Sequence, residues 1–389
     1  MLGSRRDQFH VPRDVHYLNC AYMSPLLRSV EEAGIEGVRR KRLPVDLTPD
    51  DFFDDSDAVR RGFAGLIGSR RPDRVALVPA VSYGAAIVAR NLELRSGDNV
   101  VLAGEQFPSN VYPWTAMARE AGAEVRTVDR PAPDDASDPR GIARRWNELL
   151  LDSMDHDTAL VALPQAHWTD GTLFDLEIVG DRAREVGAAL VVDGTQTVGA
   201  HPFDVDEVRP DALVCAGYKW LLGPYGLGLT WLGDRFIEGA PVEETWIGRR
   251  GSEDFGGLVD YEAAYREDAS RFDVGERSSF ILVPMLLTAL EQLRAWGIDA
   301  VADRCRRLTT LVARGARELG YGVLPDAERC SNIVGLGVPG HVDLERLVEG
   351  LRSRDVHVSR RGSSLRVSPH VYNDDADVEA LLGVLQDAV

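Results

Sequence analysis

From residue 74 onward the chain alternates short, continuous apolar runs with amphipathic stretches, and few architectures satisfy that rhythm. The runs at 74–79, 99–103, 124–128, 159–163, 189–192, 212–215 and 228–232 read as strands. Helical periodicity fills most of the early gaps, at 83–92, 110–121, 142–151 and 176–186. A strand that is apolar at successive positions is buried on both faces, and helices between such strands connect parallel neighbours. The expected class is α/β, with a mainly parallel seven-stranded sheet in a large domain.

The pattern changes after residue 235. Residues 239–275 mix Gly, Glu and Arg with aromatics and read as a connecting or interface segment. Helices are expected at 281–295, 299–319, 343–352 and from Asp377, with strands at 333–337, 356–359 and 365–368. This is a smaller α+β C-terminal domain. The expected division is 1–20 as an N-terminal segment packing with the small domain, 21–265 as the large domain and 266–389 as the small one. Residues 131–139 read as a short polar loop, and no internal repeat is found.

Composition narrows the partners. With 44 Lys and Arg against 62 Asp and Glu, the net charge of −18 disfavours nucleic acid and anionic membranes, which reward clustered cations. A small anionic ligand needs only a local positive pocket. The cysteines (Cys20, Cys215, Cys305, Cys330) show no zinc spacing and suit reduced core thiols. No apolar run approaches a membrane span, and the first ten residues lack a signal peptide's apolar centre, so a cytoplasmic protein is expected.

Lysine usage is the sharper signal. It occurs only at Lys41 and Lys219; the other 42 basic residues are Arg. Lys41 sits in a solvated basic cluster, Arg39-Arg40-Lys41-Arg42. Lys219 lies in the apolar, glycine-flanked run Cys215-Ala216-Gly217-Tyr218-Lys219-Trp220-Leu221-Leu222-Gly223. A desolvated amine can lose its proton and attack a carbonyl, whereas a guanidinium cannot. Lys219 is therefore a candidate Schiff-base residue.

Ligands of open parallel sheets sit at the carboxyl ends of strands. Three such ends carry polar residues: Asp193-Gly194-Thr195-Gln196, Tyr218-Lys219, and Ser82-Tyr83-Gly84, where a strand turns into a helix whose free amides can seat a phosphate. A lysine for an aldehyde, an acid for a pyridine nitrogen and a phosphate cradle together make a pyridoxal 5'-phosphate (PLP) site.

Asp193-Gly194-Thr195-Gln196 followed by Tyr218-Lys219-Trp220-Leu221-Leu222-Gly223-Pro224-Tyr225-Gly226 resembles the fold-type I PLP enzymes of aminotransferase class V, a group that includes cysteine desulfurases, kynureninases and isopenicillin N epimerases. The resemblance runs from Tyr17 to Asn373. It implies that Lys219 binds the cofactor covalently and shuttles the Cα proton, that Asp193 pairs with the pyridinium, and that Gln196 meets the phenolic oxygen. It implies further that Ser82, Tyr83 and Tyr218 hold the phosphate and that Phe107 stacks on the ring with Asn110 close by. Trp246 would be lent by a partner subunit, and Arg366 would clamp the substrate carboxylate. A homodimer with shared active sites is implied too.

Two stretches depart from the family pattern. Relatives often carry Gly-Thr-Pro where this chain has Gly275-Glu276-Arg277, with Arg277 or Ser278 as possible substitutes for the lost phosphate contact. Where relatives have an Asn touching the cofactor, His167 or Trp168 stands here; His167 is either an acid or base over the ring or a packed strand-end histidine.

Reaction type is read by subtraction. The stretch 359–366 contains no Cys, which disfavours a persulfide-forming cysteine desulfurase, and a carboxylate clamp disfavours a decarboxylase. The expected activity is a lyase-type cleavage of a Cβ–heteroatom (C–S) or Cβ–C bond of an amino acid after Cα deprotonation. The alternative is an aminotransferase or epimerase of the same family. A non-catalytic PLP protein would not need Arg366, and without GxGxxG a nicotinamide oxidoreductase is remote.

Overall fold

The computed structural model describes residues 2–131 and 141–389; the polar loop expected at 131–139 lies, apart from Pro131, outside the described residues. The chain opens with a two-residue strand β1 (His16–Tyr17) and helices α1 (Arg28–Arg40) and α2 (Asp54–Leu66). Then come β2 (Val75–Val78), α3 (Val81–Asn91), β3 (Asn99–Ala103), α4 (Tyr112–Ala121) and β4 (Glu124–Val128). They are followed by α5 (Ile142–Asp152), β5 (Thr158–Pro164), α6 (Leu176–Val186) and β6 (Ala189–Asp193). A one-turn helix α7 (Val205–Val208), β7 (Ala212–Ala216) and β8 (Gly228–Leu232) complete this part.

The seven expected strands form one sheet in the order β2-β8-β7-β6-β5-β3-β4. Its pairs are parallel except those of β8, which runs antiparallel to both β2 and β7. Side chains alternate across a strand, and here both faces are covered: Val101, Val161, Leu163, Leu190 and Val192 enter one core, while Val100, Leu102, Leu160, Ala162 and Val191 enter another. The edge strand β4 is half-exposed, and its Glu124 and Arg126 blunt it against further pairing. β4 and β5 flank β3 on opposite sides, so the chain reverses its lateral course there, and a crevice opens outside the carboxyl ends of the strands.

The C-terminal third begins with α8 (Leu282–Trp296) and α9 (Ile298–Glu318). It continues with β9 (Val334–Gly337), α10 (Leu344–Ser353), β10 (Val356–His357), β11 (Ser359–Arg361), β12 (Ser364–Val367) and α11 (Asp375–Ala388). β11, β12 and β9 make an antiparallel sheet whose Val334, Leu336, Leu365 and Val367 pack on Leu308, Val312, Leu381 and Leu385 of α9 and α11. α8 instead packs against α1 and α2, so residues 282–296, assigned from sequence to the smaller unit, lie on helices of the larger one. The start of the chain is tied to its end: β1 pairs with β10, and Arg6 and His16 both reach the buried Asp377 of α11, at 3.0 and 2.8 Å. Among the described residues no helix is long and apolar enough to cross a membrane, and the four cysteines are buried and free.

Candidate active site

Strand ends on the crevice supply a cleft of about 290 Å³. It is lined by Ser82 from α3, Phe107 and Asn110 after β3, Trp168 after β5, Asp193 and Gln196 at and after β6, and Tyr218 and Lys219 after β7. Two of the turns that build it carry non-glycine residues in the left-handed region, Glu105 at φ 53° and Leu222 at φ 55°. Such strain persists only where the surroundings over-determine the backbone. Leu222 is fully buried and its amide closes on Lys219 O at 3.0 Å, which fixes the turn bearing the lysine.

Lys219 is 5% exposed, and its amine makes no hydrogen bond or ion pair among the described residues. Nζ lies 5.2 Å from the Phe107 ring centre and 5.5 Å from that of Tyr218. Desolvation lowers its pKa to about 8, with Asp193 pulling upward and Arg366 and Arg361 pushing down. The Asp193 carboxylate ends a strand with every residue buried and accepts the Thr195 amide at 2.9 Å. Burial raises its pKa, opposed by Thr195 and Lys219.

α3 starts at the cleft floor, no side chain caps its first turn, and Ser82 faces the cleft. The close approach depends on Gly84, where a Cβ would collide with Thr230 and Val214 of the sheet. Ser82 and Tyr83 part company here. Neighbours on a helix point about 100° apart, and the Tyr83 side chain packs into the sheet core with its hydroxyl towards Glu243, away from the cleft.

Other expected residues have prior engagements. Gln196 donates to Ala21 O at 3.2 Å and accepts Trp220 Nε1 at 3.0 Å, so its amide is braced at the cleft wall with one N–H to spare. Asn110 lines the cleft but spends its amide on Gln106 Oε1 (2.7 Å) and Trp114 Nε1 (3.1 Å), which hold the turn carrying Phe107. Tyr218 stacks obliquely on the exposed Tyr225 at the cleft mouth, 4.6 Å between ring centres. Trp246 lies outside the cleft against Phe52 and Phe255 and is 42% exposed.

His167 requires correction as a candidate acid or base. It is fully buried and does not line the cleft. Its Nε2 faces Gly104 O at 3.2 Å, an acceptor only, and its Nδ1 faces Thr169 Oγ1 at 2.7 Å. Those partners fit the neutral ring, and desolvation lowers its pKa against the pull of Asp170. The ring packs 5.2 Å from Trp146, so the bland reading of a packed histidine is the one realised. Its neighbour Trp168 takes the cleft position instead, with Nε1 on Glu105 O at 2.7 Å.

The substitutes suggested for the missing phosphate contact are also occupied. Arg277 turns inward to Asp273 at 2.7 Å, Ser278 donates to Phe52 O at 2.5 Å, and Glu276 stays exposed.

Arg366 is 1% exposed and donates to Trp168 O at 2.8 Å, while its Nε has no partner. No carboxylate among the described residues pairs with it, and burial, then Arg361, lowers its pKa to about 9. A buried guanidinium without a counter-charge calls for an anion. Taken together, a partnerless buried amine, a buried carboxylate of raised pKa and an uncapped helix start suit a ligand that brings an aldehyde, a protonated ring nitrogen and a phosphate.

Comparison with known proteins agrees with that ligand. The family model for aminotransferase class V matches residues 50–381. An uncharacterized aminotransferase, YcbU, of Bacillus subtilis is 26% identical over 82% of this chain and 80% of its own. A probable cysteine desulfurase of Pyrococcus abyssi is 27% identical over 82% and 79%. The cystine C–S lyase C-DES, solved with its reaction product cysteine persulfide, superposes with a TM-score of 0.83 at 19% identity, covering 97% of this chain and 98% of its own. A mutant of C-DES has been solved with glycine covalently linked to the PLP cofactor.

These findings overturn the expectation that persulfide-forming desulfuration is excluded. Relatives over most of the chain are named cysteine desulfurases, and a neighbour of the same fold yields a persulfide as its product. A missing thiol in 359–366 removes one acceptor for sulfur and does not exclude cleavage of a C–S bond.

Proposed function

The chain belongs to the class V aminotransferase family of fold-type I enzymes, whose cofactor is PLP, and from that premise we propose that it cleaves the Cβ–S bond of a cysteine-derived amino acid. The observation that carries the proposal is Lys219, an amine of depressed pKa with no partner of its own, facing Asp193 across one cleft.

When bound, PLP withdraws electrons from the bonds at the substrate Cα. Lys219 would hold the cofactor through Nζ and, once released by substrate, would carry the Cα proton. Asp193 keeps a proton on the ring nitrogen, an interaction that its burial strengthens. Ser82 and the first-turn amides of α3 bind the phosphate. Phe107 and Gln196 would hold the cofactor's ring, while Trp168 and Tyr225 line the mouth. Arg366 takes the α-carboxylate, which sets the Cα–H bond towards Lys219. Lys219 Nζ would take that proton, and the electron sink that the cofactor supplies would let the Cβ–S bonding pair depart with sulfur. Sulfur leaves as a thiol, or as a persulfide if it came as a disulfide, and the three-carbon remainder hydrolyses to pyruvate and ammonia.

A homodimer with shared sites belongs to this proposal, since Trp246 and Glu276 are exposed and available to a second copy. Transamination is the competing outcome, favoured by the name of the Bacillus relative.

Two measurements test the reading. Borohydride reduction of the holoprotein should add the mass of the reduced cofactor to the peptide carrying Lys219, and Lys219→Ala should abolish both that mass and turnover. Incubation with S-substituted cysteines should release pyruvate without added 2-oxo acid. Accumulation of the pyridoxamine form, with turnover dependent on a 2-oxo acid, would refute cleavage.

A further inference from the structure

The hairpin of β11 and β12 places a second cation beside the carboxylate clamp. Its register pairs Ser359 with Arg366 and Arg361 with Ser364. Directly opposed residues of an antiparallel pair share a face, as do positions i and i+2 on one strand. Arg361 and Arg366 therefore project from the same face, whereas Arg360, paired with Leu365, points away and meets Glu345 on the surface. Both inward guanidiniums meet the Trp168 ring, with their carbons 4.9 and 5.9 Å from its centre. Each has a buried Nε with no hydrogen-bond partner, and neither has a carboxylate within 4 Å among the described residues. A chain with an excess of 18 acids over bases has set two neighbouring cations, with no carboxylate partner among the described residues, against the back of a tryptophan that lines the cleft. Their influence extends to Lys219, whose amine both depress.

One α-carboxylate balances only one of these charges. We propose that Arg361 is a specificity residue for a second anionic group, so that the substrate is a cysteine whose sulfur carries a carboxylate- or sulfonate-bearing substituent. The ring of Trp168 gives both guanidiniums a flat surface on which to stack. The inference rests on the C–S cleavage reading only for the sulfur; the charge requirement stands on the hairpin alone.

S-carboxymethyl-L-cysteine and its amide, S-carbamoylmethyl-L-cysteine, have nearly the same shape and differ by one charge, which makes them the discriminating pair. Their Kd values for the holoenzyme, read by calorimetry, and their kcat/KM values are compared in wild type, Arg361→Gln and Arg361→Lys. The acid should be preferred about 10- to 100-fold in wild type. In R361Q the preference should fall to within about threefold, and R361K should restore part of it. Equal binding of acid and amide by wild type overturns the proposal and leaves C–S cleavage standing. Tight binding of the acid without pyruvate release keeps the anion site and removes the lyase reading. A loss in R361Q that is equal for both ligands makes Arg361 structural and overturns the proposal.

Discussion

Two pairs of arginines, three of the four buried and Arg361 half-buried, are treated in opposite ways. Arg60 and Arg277, 5% and 1% exposed, converge on Asp273, whose carboxylate also accepts the Leu77 amide at 2.7 Å. Despite burial, Asp273 holds Arg60 above its ordinary pKa; Arg277, second at the same carboxylate, stays below its own through burial. Arg361 and Arg366 have only carbonyls, a hydroxyl and the Trp168 ring. A buried charge that finds its counter-ion inside the chain holds the fold together. One that lacks it weakens the folded state and gains an affinity for whatever anion enters. The acid-rich composition sharpens the contrast, because carboxylates were plentiful.

The largest effect should come from neutralising the satisfied pair. Asp273→Asn leaves Arg277 without its carboxylate and Arg60 with Asp57 alone, and should cost about 3–5 kcal/mol in denaturant unfolding, with the acid-over-amide preference of surviving protein unchanged. Arg366→Gln should do the reverse: unfolding free energy unchanged or slightly raised, and kcat/KM lower by about 2–5 kcal/mol of transition-state binding. If R366Q unfolds as readily as D273N, the two clusters are not different in kind.

The same uncompensated charge acts on Lys219 and sets a pH dependence. A base with its pKa depressed to about 8 is protonated below that pH and cannot attack an aldehyde. Cofactor uptake by apoprotein should therefore rise about tenfold per pH unit up to roughly pH 8 and then level off. Removing Arg361 should shift the break upward; a profile still climbing at pH 10 would mean that the amine is not depressed. The smallest effect is expected at His167, a third buried cationic type, but one that desolvation pushes towards its neutral form. His167→Gln should cost about 1–2 kcal/mol of stability and leave the limbs of the pH–rate profile in place.

Legibility followed geometry. The sheet was readable because most of its strands bury both faces and so appear as unbroken apolar runs; the strands at 99–103 and 228–232 match the observed bounds, as does the half-exposed edge strand at 124–128. Helices α1 and α2 escaped notice because their contacts with α8 use glycine. A Cβ at Gly34 would strike Met285, and one at Gly62 would touch Leu290, so residues that weaken a helix signal sit where packing is closest. Lys219 and Asp193 were legible as polar ends of apolar strands. The choice between His167 and Trp168 was not, because a turn in which Gly171 N meets His167 O sets the side-chain directions after β5. Arg361 needed the hairpin register, and Tyr83 needed the rotation of α3, neither of which a linear sequence displays.

The strap formed by the chain's beginning has a consequence for synthesis. Ala21 O braces Gln196, Ser24 N caps Tyr218 O at 3.1 Å, and Cys20 N bonds Ser368 O at 2.9 Å. Residues 20–24 thus wait for Ser368 before the strap is fully held. A nascent chain can complete the seven-stranded sheet long before Ser368 is available to tie that strap.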